Sequence, residues 1–251
     1  MSSPNLIGQP FIELLTVEST NNYAMGLARA GMAQHGTVVF THDQTRGKGQ
    51  RSKEWLSRKG QNIAMSVIIE PQSLPVSELF SLSMMTATAV QEFFEKLVKD
   101  EATIKWPNDI YWRDRKAAGI LIENLWQGTE WKFAVVGIGI NVNQTDFGEL
   151  GSKAVSIKQI TGQHYEPGSL VKGLCEILET NYRLLVSNPL IIIEQYKKHL
   201  YKINERVKLK KDNRVFEAEF RDVNNKGQMI VQHAMEEKFN VGDVEWLISG
   251  E

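Results

Sequence analysis

The run Phe133-Ala134-Val135-Val136-Gly137-Ile138-Gly139-Ile140 limits the folds open to this chain more than any other feature. A stretch with no polar side chain suits a strand covered on both faces, because a half-solvated strand alternates polar and apolar residues. Such a strand lies inside a sheet and needs layers on either side of it. The flanking sequence offers them. Ser19 and Thr20 read as N-cap residues of a helix through Tyr23 to about Gln34, and 37–40 is β-branched and aromatic, a strand. Residues 62–70 read as a second strand, and Ser77 opens a long helix to about Lys99. Strands are then expected at 103–106, 119–126 and 131–142, and helices at about 153–160, 168–186 and 189–200. Past Tyr201 the texture changes to five short alternating segments between turn signals such as Asp212-Asn213, Asn224-Asn225-Lys226-Gly227 and Gly242-Asp243. The expectation is an α/β unit to about residue 202 and then a small β-barrel of SH3-like size.

Composition removes whole classes of function. With Lys+Arg 29 against Asp+Glu 30, the chain lacks the cation surplus that non-specific nucleic-acid binding requires. One cysteine, Cys175, leaves no intramolecular disulfide and no cysteine-only zinc site. Cys175 lies in an amphipathic helical stretch, where a thiol is core. No apolar run reaches about 18 residues, so no membrane span is expected. The N-terminal stretch lacks a basic-then-apolar pattern, so no secretory leader is expected and the location is read as cytoplasmic. At 251 residues the chain can bury a sizeable core.

Four stretches could carry chemistry. In the first, Gln44-Thr45-Arg46-Gly47-Lys48-Gly49-Gln50-Arg51-Ser52-Lys53-Glu54-Trp55, glycines let backbone N–H groups approach an anion and clustered cations stabilise it. Such a loop suits a triphosphate and an acidic substrate, and it orders when negative charge arrives. A solvated basic loop has the same composition. In the second, Lys105-Trp106-Pro107-Asn108-Asp109, proline should end a strand and leave Asn108 and Asp109 at its C-terminal end. Asp109 is there a candidate Mg²⁺ ligand; the same letters also spell an ordinary turn. Third, Lys116 sits just before a strand that holds Gly119-Ile120-Leu121-Ile122-Glu123. Fourth, Gly137-Ile138-Gly139-Ile140-Asn141-Val142 fails as a dinucleotide fingerprint, because β-branched residues continue the strand where a helix should open. Glycines inside a buried strand instead mark close approach by a ligand or another backbone, and the Asn141 amide suits an adenine edge. No His-Glu-x-x-His or Gly-x-Ser-x-Gly motif is present.

In this order, the four stretches resemble those of the biotin protein ligases, and the resemblance covers essentially the whole chain. Ser19-Thr20-Asn21 is similar to the family's Ser-Thr-Asn segment at the biotin site, and Gln44 with Gly47–Arg51 to its glutamine and Gly-Arg-Gly-Arg-Arg-Gly loop. Lys105–Asp109 matches its Lys-Trp-Pro-Asn-Asp, Lys116 with Gly119–Glu123 its Lys-x-x-Gly-Ile-Leu-Val-Glu, and Gly137–Asn141 its Gly-x-Gly-Ile-Asn. Lys48 and Gln50 depart from it by standing where the family has arginines, which keeps one charge but loses the bidentate fork. Ser52 replaces a glycine.

The resemblance implies an α+β fold, a mixed β-sheet with flanking helices that is class II aminoacyl-tRNA synthetase-like, over 1–202, and a C-terminal SH3-like β-barrel over 203–251. It implies ATP-dependent attachment of biotin, through biotinyl-5′-AMP, to a lysine of a carboxylase's biotin carboxyl carrier domain, with Mg²⁺ and no nucleic-acid or membrane partner. Catalytic roles then fall to Lys116, Lys48, Arg51 and Asp109. Biotin contacts fall to Ser19, Thr20, Asn21, Gln44, Lys48, Gly49, Gln50 and Lys116, and ATP contacts to Arg51, Trp55, Lys105, Asn108 and Asn141. Only 18 residues precede Ser19, so no winged-helix DNA-binding domain and no repressor role are expected. A homodimer through edge strands is allowed. A lipoate-protein ligase and a non-catalytic biotin sensor are the competing readings.

Overall fold

The computed structural model describes residues 6–71 and 74–248. Its largest element is a seven-stranded mixed sheet in the order β1-β2-β5-β9-β8-β7-β6. The strands are β1 (Phe11–Leu14), β2 (Val38–Thr41), β5 (Asn62–Ile69), β6 (Thr103–Lys105), β7 (Asp109–Trp112), β8 (Arg115–Gln127) and β9 (Glu130–Asn141). Only β1 and β2 pair parallel; the other neighbours are antiparallel. The apolar run Phe133–Ile140 lies in β9, fourth of the seven, as a strand covered on both faces requires.

The helices α2 (Leu79–Val98), α4 (Pro167–Ser187) and α5 (Pro189–Lys198) pack on one face. There Val38, Phe40, Ile63, Met65, Val67 and Val136 join one large core with Leu82, Met85, Leu174 and Leu178. Among the described residues, the one helix on the opposite face is α1 (Thr20–Arg29), whose Ala24 and Met25 cover Val39, Ile68 and Val135. The period-2 alternation of side chains thus splits β5 between two cores. A single ten-residue helix cannot cover the whole second face, and the rest of it becomes the floor of a cavity.

The boundaries differ from the sequence reading in ways that matter for chemistry. Helix α1 stops at Arg29 rather than near Gln34. Strands β1 and β7 were not expected, both being only four residues long. Asp109 therefore opens β7 after a tight turn instead of trailing the end of β6. Strand β8 begins at Arg115, so Lys116 lies inside the strand rather than ahead of it. The helix expected from 153 shrinks to α3 (Ile157–Thr161), because 154 runs as extended chain beside Lys116. The Lys116 N–H donates to the Lys153 carbonyl at 2.8 Å and its carbonyl accepts from the Val155 N–H at 3.0 Å, which clamps the backbone that carries this lysine.

The C-terminal segment is a five-stranded antiparallel sheet built from β10 (Arg206–Lys211), β11 (Arg214–Val223), β12 (Met229–Gln232), β13 (Glu236–Phe239) and β14 (Glu245–Leu247), in the order β13-β12-β11-β10-β14. Its buried Leu209, Phe220, Val231 and Trp246 belong to the same core as the large sheet. The Trp106 indole N–H donates to the Gly227 carbonyl at 3.0 Å across the junction. Among the described residues no helix is long and apolar enough to cross a membrane.

Candidate functional site

A cavity of about 850 Å³ opens between the uncovered sheet face, the N-terminus of α1, the loop at 44–58 and the C-terminal sheet. That volume is in the range of small-molecule sites. Its floor is made flat by glycines on adjacent strands. Gly119 and Gly139 are direct partners in the β8–β9 register, and the Trp55 indole lies on them. A Cβ at Gly139 would stand 2.4 Å from Trp55 Cε2, and one at Gly137 would stand 2.2 Å from Asn21 Oδ1, so any larger residue displaces a wall of the cavity. The Trp55 Nε1–H is enclosed and without an acceptor among the described residues.

One end of the cavity is a neutral polar wall. Ser19 caps α1 in extended geometry and accepts from the Asn22 N–H at 3.4 Å, which fixes the next two side chains. The Thr20 N–H and Oγ–H both donate to Gln44 Oε1, at 2.9 and 3.2 Å. Ser66 of β5 reaches up beneath them, its Oγ 2.8 Å from Thr20 Oγ1 and 2.6 Å from Asn21 Oδ1. The Asn21 amide donates in turn to Glu123 Oε2 at 2.9 Å and to the Leu121 carbonyl at 3.3 Å. Ser19, Thr20, Asn21 and Ser66 are all buried. A buried network of this kind holds one arrangement, because breaking it leaves groups unsatisfied.

The other end is charged. Lys116 Nζ lies 2.7 Å from Asp109 Oδ1 and 5.7 Å from the Trp55 ring centroid. Asp109 pairs in register with Lys105 on β6 and with Gly119 on β8, which puts the three on the cavity side of the sheet. The loop carries a short ladder, β3 (Gly47–Lys48) with β4 (Glu54–Trp55), joined by a tight 3₁₀ turn. Lys48 extends to Glu123 at 3.7 Å, and Arg51, held at φ 54°, reaches across to Gly242 of the C-terminal sheet.

Every residue singled out from the sequence as a site residue lines this cavity. Two of them, expected as ATP contacts, also bond the backbone of the fold. Asn108 donates its amide to the Ile120 carbonyl, and Asn141 donates to the carbonyls of Lys116 and Val155 at 3.4 and 3.2 Å. Both amides brace backbone around Lys116. Sequence reasoning missed Ser66, one hydroxyl in an apolar strand, and the contacts of Glu123, a carboxylate that meets both Asn21 and Lys48. It also missed the C-terminal sheet, whose Gly242, Val244 and Trp246 line the cavity far along the chain from the motifs. Burial pushes the Cys175 thiol up to about 12, in keeping with a core role.

A model of the Biotin/lipoate A/B protein ligase family matches residues 14–141, a span that includes the polar wall, the loop, the Lys105–Asp109 turn, Lys116 and the glycine floor. The chain belongs to this family. Among proteins, it is 34% identical over 181 residues to the bifunctional ligase/repressor BirA of Bacillus subtilis, covering 71% of this chain and 55% of that protein. It is 33% identical over 129 residues to the biotin–[acetyl-CoA-carboxylase] ligase of Mycobacterium tuberculosis, covering 50% of this chain and 47% of that one. The chain thus spans about half the length of these curated relatives. Among solved structures, the biotin protein ligase of Aquifex aeolicus in complex with biotin and ATP superposes with a TM-score of 0.81 at 23% identity, over 96% of this chain and 100% of that one. At that identity the match speaks for the fold, and it extends beyond the family-matched span into the C-terminal sheet.

Proposed function

We propose that this cavity joins biotin to ATP and then hands the biotinyl group to a lysine of a biotin carboxyl carrier domain. The observation that carries the reading is the division of one cavity into a neutral, pre-bonded wall and a row of cations over a glycine floor. The wall suits a ureido head that both donates and accepts; the flat floor suits an apolar ring and chain; the cations suit a carboxylate meeting a phosphate. A carboxylate at pH 7 is a poor acyl electrophile. Its oxygen attacks the α-phosphorus, the bond to the β-phosphate oxygen breaks, and pyrophosphate leaves. Two anions must approach for this, and Lys116, Lys48 and Arg51 offset their repulsion, with Lys105 toward the phosphates. The carrier amine then attacks the acyl carbon of biotinyl-5′-AMP and AMP departs. An ammonium with a pKa near ~10.4 is almost wholly protonated at pH 7, so it must first lose its proton. The Asp109 carboxylate, 2.7 Å from Lys116 at the charged end, supports a role as the acceptor of that proton, with magnesium ligation as the competing role.

Mg²⁺ ordinarily takes one or two carboxylates plus phosphate oxygens. Asp109 offers one carboxylate, and among the described residues no group of three or more His, Cys, Asp or Glu could cage a metal. The donor set fits an ion that arrives on the triphosphate, with Asp109 as its protein ligand. Base and metal ligand are separable roles: single-turnover transfer from preformed biotinyl-5′-AMP stays near normal in Asp109→Asn if Asp109 serves the metal alone. The short antiparallel strands after residue 203 support an SH3-like barrel packed on the large sheet through a shared core, and the mixed sheet with helices on both faces supports a class II synthetase-like catalytic unit before it. The test of the reading is pyrophosphate release. It should require biotin and ATP together; release with lipoate instead of biotin would assign the chain to the lipoate branch, and none with either would leave a sensor.

A further inference from the structure

Three rings from distant parts of the chain converge beside the charged end of the cavity. Tyr111 comes from β7, Tyr201 from the connection that follows α5, and Trp246 from β14. Their centroids are 5.4 Å apart for Tyr111–Tyr201 and 5.8 Å for Tyr201–Trp246, and Phe220 meets the Trp246 ring edge-on at 5.4 Å. All three are buried. The Tyr201 hydroxyl donates to Asp114, which also faces Lys202 at 3.6 Å, so the middle ring is fixed at both its face and its tip. Into this corner extends Lys105, whose Nζ lies 5.4 Å from the Tyr111 centroid and 5.7 Å from that of Trp246. Ammonium over an aromatic face is attracted by the ring quadrupole, and the attraction grows as water is excluded.

We propose that Trp246 is a positioning residue. With Tyr111 it holds the Lys105 ammonium at the rim of the cavity, so that the C-terminal sheet sets the strength with which the site binds the nucleotide's phosphates. A free lysine side chain has four rotatable bonds, and a cation held in place by rings forfeits less entropy on meeting an anion. Trp246 touches no reacting atom; it acts through Lys105. The proposal rests on the reading that phosphates occupy the Lys105 end.

Isothermal titration of magnesium ATP into wild type, Trp246→Leu, Lys105→Ala and the double variant tests it. Trp246→Leu should weaken ATP binding roughly two- to fivefold, and Trp246→Phe, which keeps a ring face, should recover most of it. Adding Trp246→Leu to Lys105→Ala should cost nothing further, and biotin affinity should stay unchanged throughout. Equal losses with and without Lys105 would mean that the ring is core packing, and would overturn the proposal. Thermal melts accompany each variant; should Trp246→Leu fail to fold, Trp246→Met removes the ring while its unbranched, flexible chain refills the irregular space more readily. Biotin-dependent pyrophosphate release by wild type is read in parallel. A wild type that binds ATP and releases none sinks the ligase reading but leaves the cycle interpretable, whereas one that binds no ATP removes phosphates from this end and overturns the proposal with them.

Discussion

The two ends of the cavity are built by opposite means. At the neutral end, Thr20, Asn21, Gln44 and Ser66 are bonded to one another before any ligand, and the network leans on short side chains with few rotamers. At the charged end, Lys48 and Arg51 are long and exposed, and their loop is tied down by a two-residue ladder. A neutral head group gains little from charge and must be matched by geometry. Two mutually repelling anions need charge more than a fixed fit, and long cations can follow them through the reaction. Lys116, like Lys105 against its rings, is an exception within the charged end: its backbone is clamped by 153–155, and Asn108 and Asn141 brace the strands around it.

Lys116→Ala tests that exception and should produce the largest effect, a loss of ~10²-fold or more in biotinyl-5′-AMP formation by single-turnover assay, as for loss of a fixed transition-state charge contact. Activity near wild type would dissolve the distinction. Gly137→Val drives a side chain into Asn21 and should raise the KM for biotin by about tenfold or more while moving that for ATP far less. Equal changes in both would mean that the two ends are not separate. Ser66→Ala leaves buried partners of Thr20 and Asn21 unmet and should cost about 1–3 kcal/mol of stability; Lys48→Ala, on the exposed loop, should change stability by less than about 0.5 kcal/mol. Thermal melts of the pair sharpen the contrast directly. Raising the ionic strength from about 0.05 to 0.5 M should weaken ATP binding by several-fold and biotin binding much less, since a triphosphate brings several charges to the exposed cations, whereas biotin brings one carboxylate and a head group held by a buried network that screening does not reach. Smallest is a scaffold effect. Burial holds the His35 pKa below its ordinary 6.5, against the pull of Glu179 and Glu70. The folded chain therefore binds fewer protons here than the unfolded one, and the contribution is present above about 6.5 and lost as pH falls. His35→Gln should flatten the acid limb of a melting-temperature profile.

What could be read from the sequence follows the same divide. The apolar run of β9 announces a central strand, and its glycines announce close approach, because both signals are local. The cap at Ser19 and the Lys105–Asp109 turn are local too. Ser66 was silent because one hydroxyl among Asn62–Ile69 looks like a tolerated polar atom until α1 is laid over it. Lys116 was misplaced relative to its strand because β8 is started by a bulged pairing with the short β7, which no periodicity reveals. The role of Trp246 depends on a sheet some 140 residues away from Lys105, and only folding brings the two together.

The most direct test of the central claim is a mass spectrum of the protein after incubation with biotin, ATP and magnesium. The account predicts a bound species with the mass of biotinyl-5′-AMP, strongly diminished in Lys116→Ala. Intact biotin and ATP, with no mixed anhydride formed by a folded wild-type protein, would contradict it.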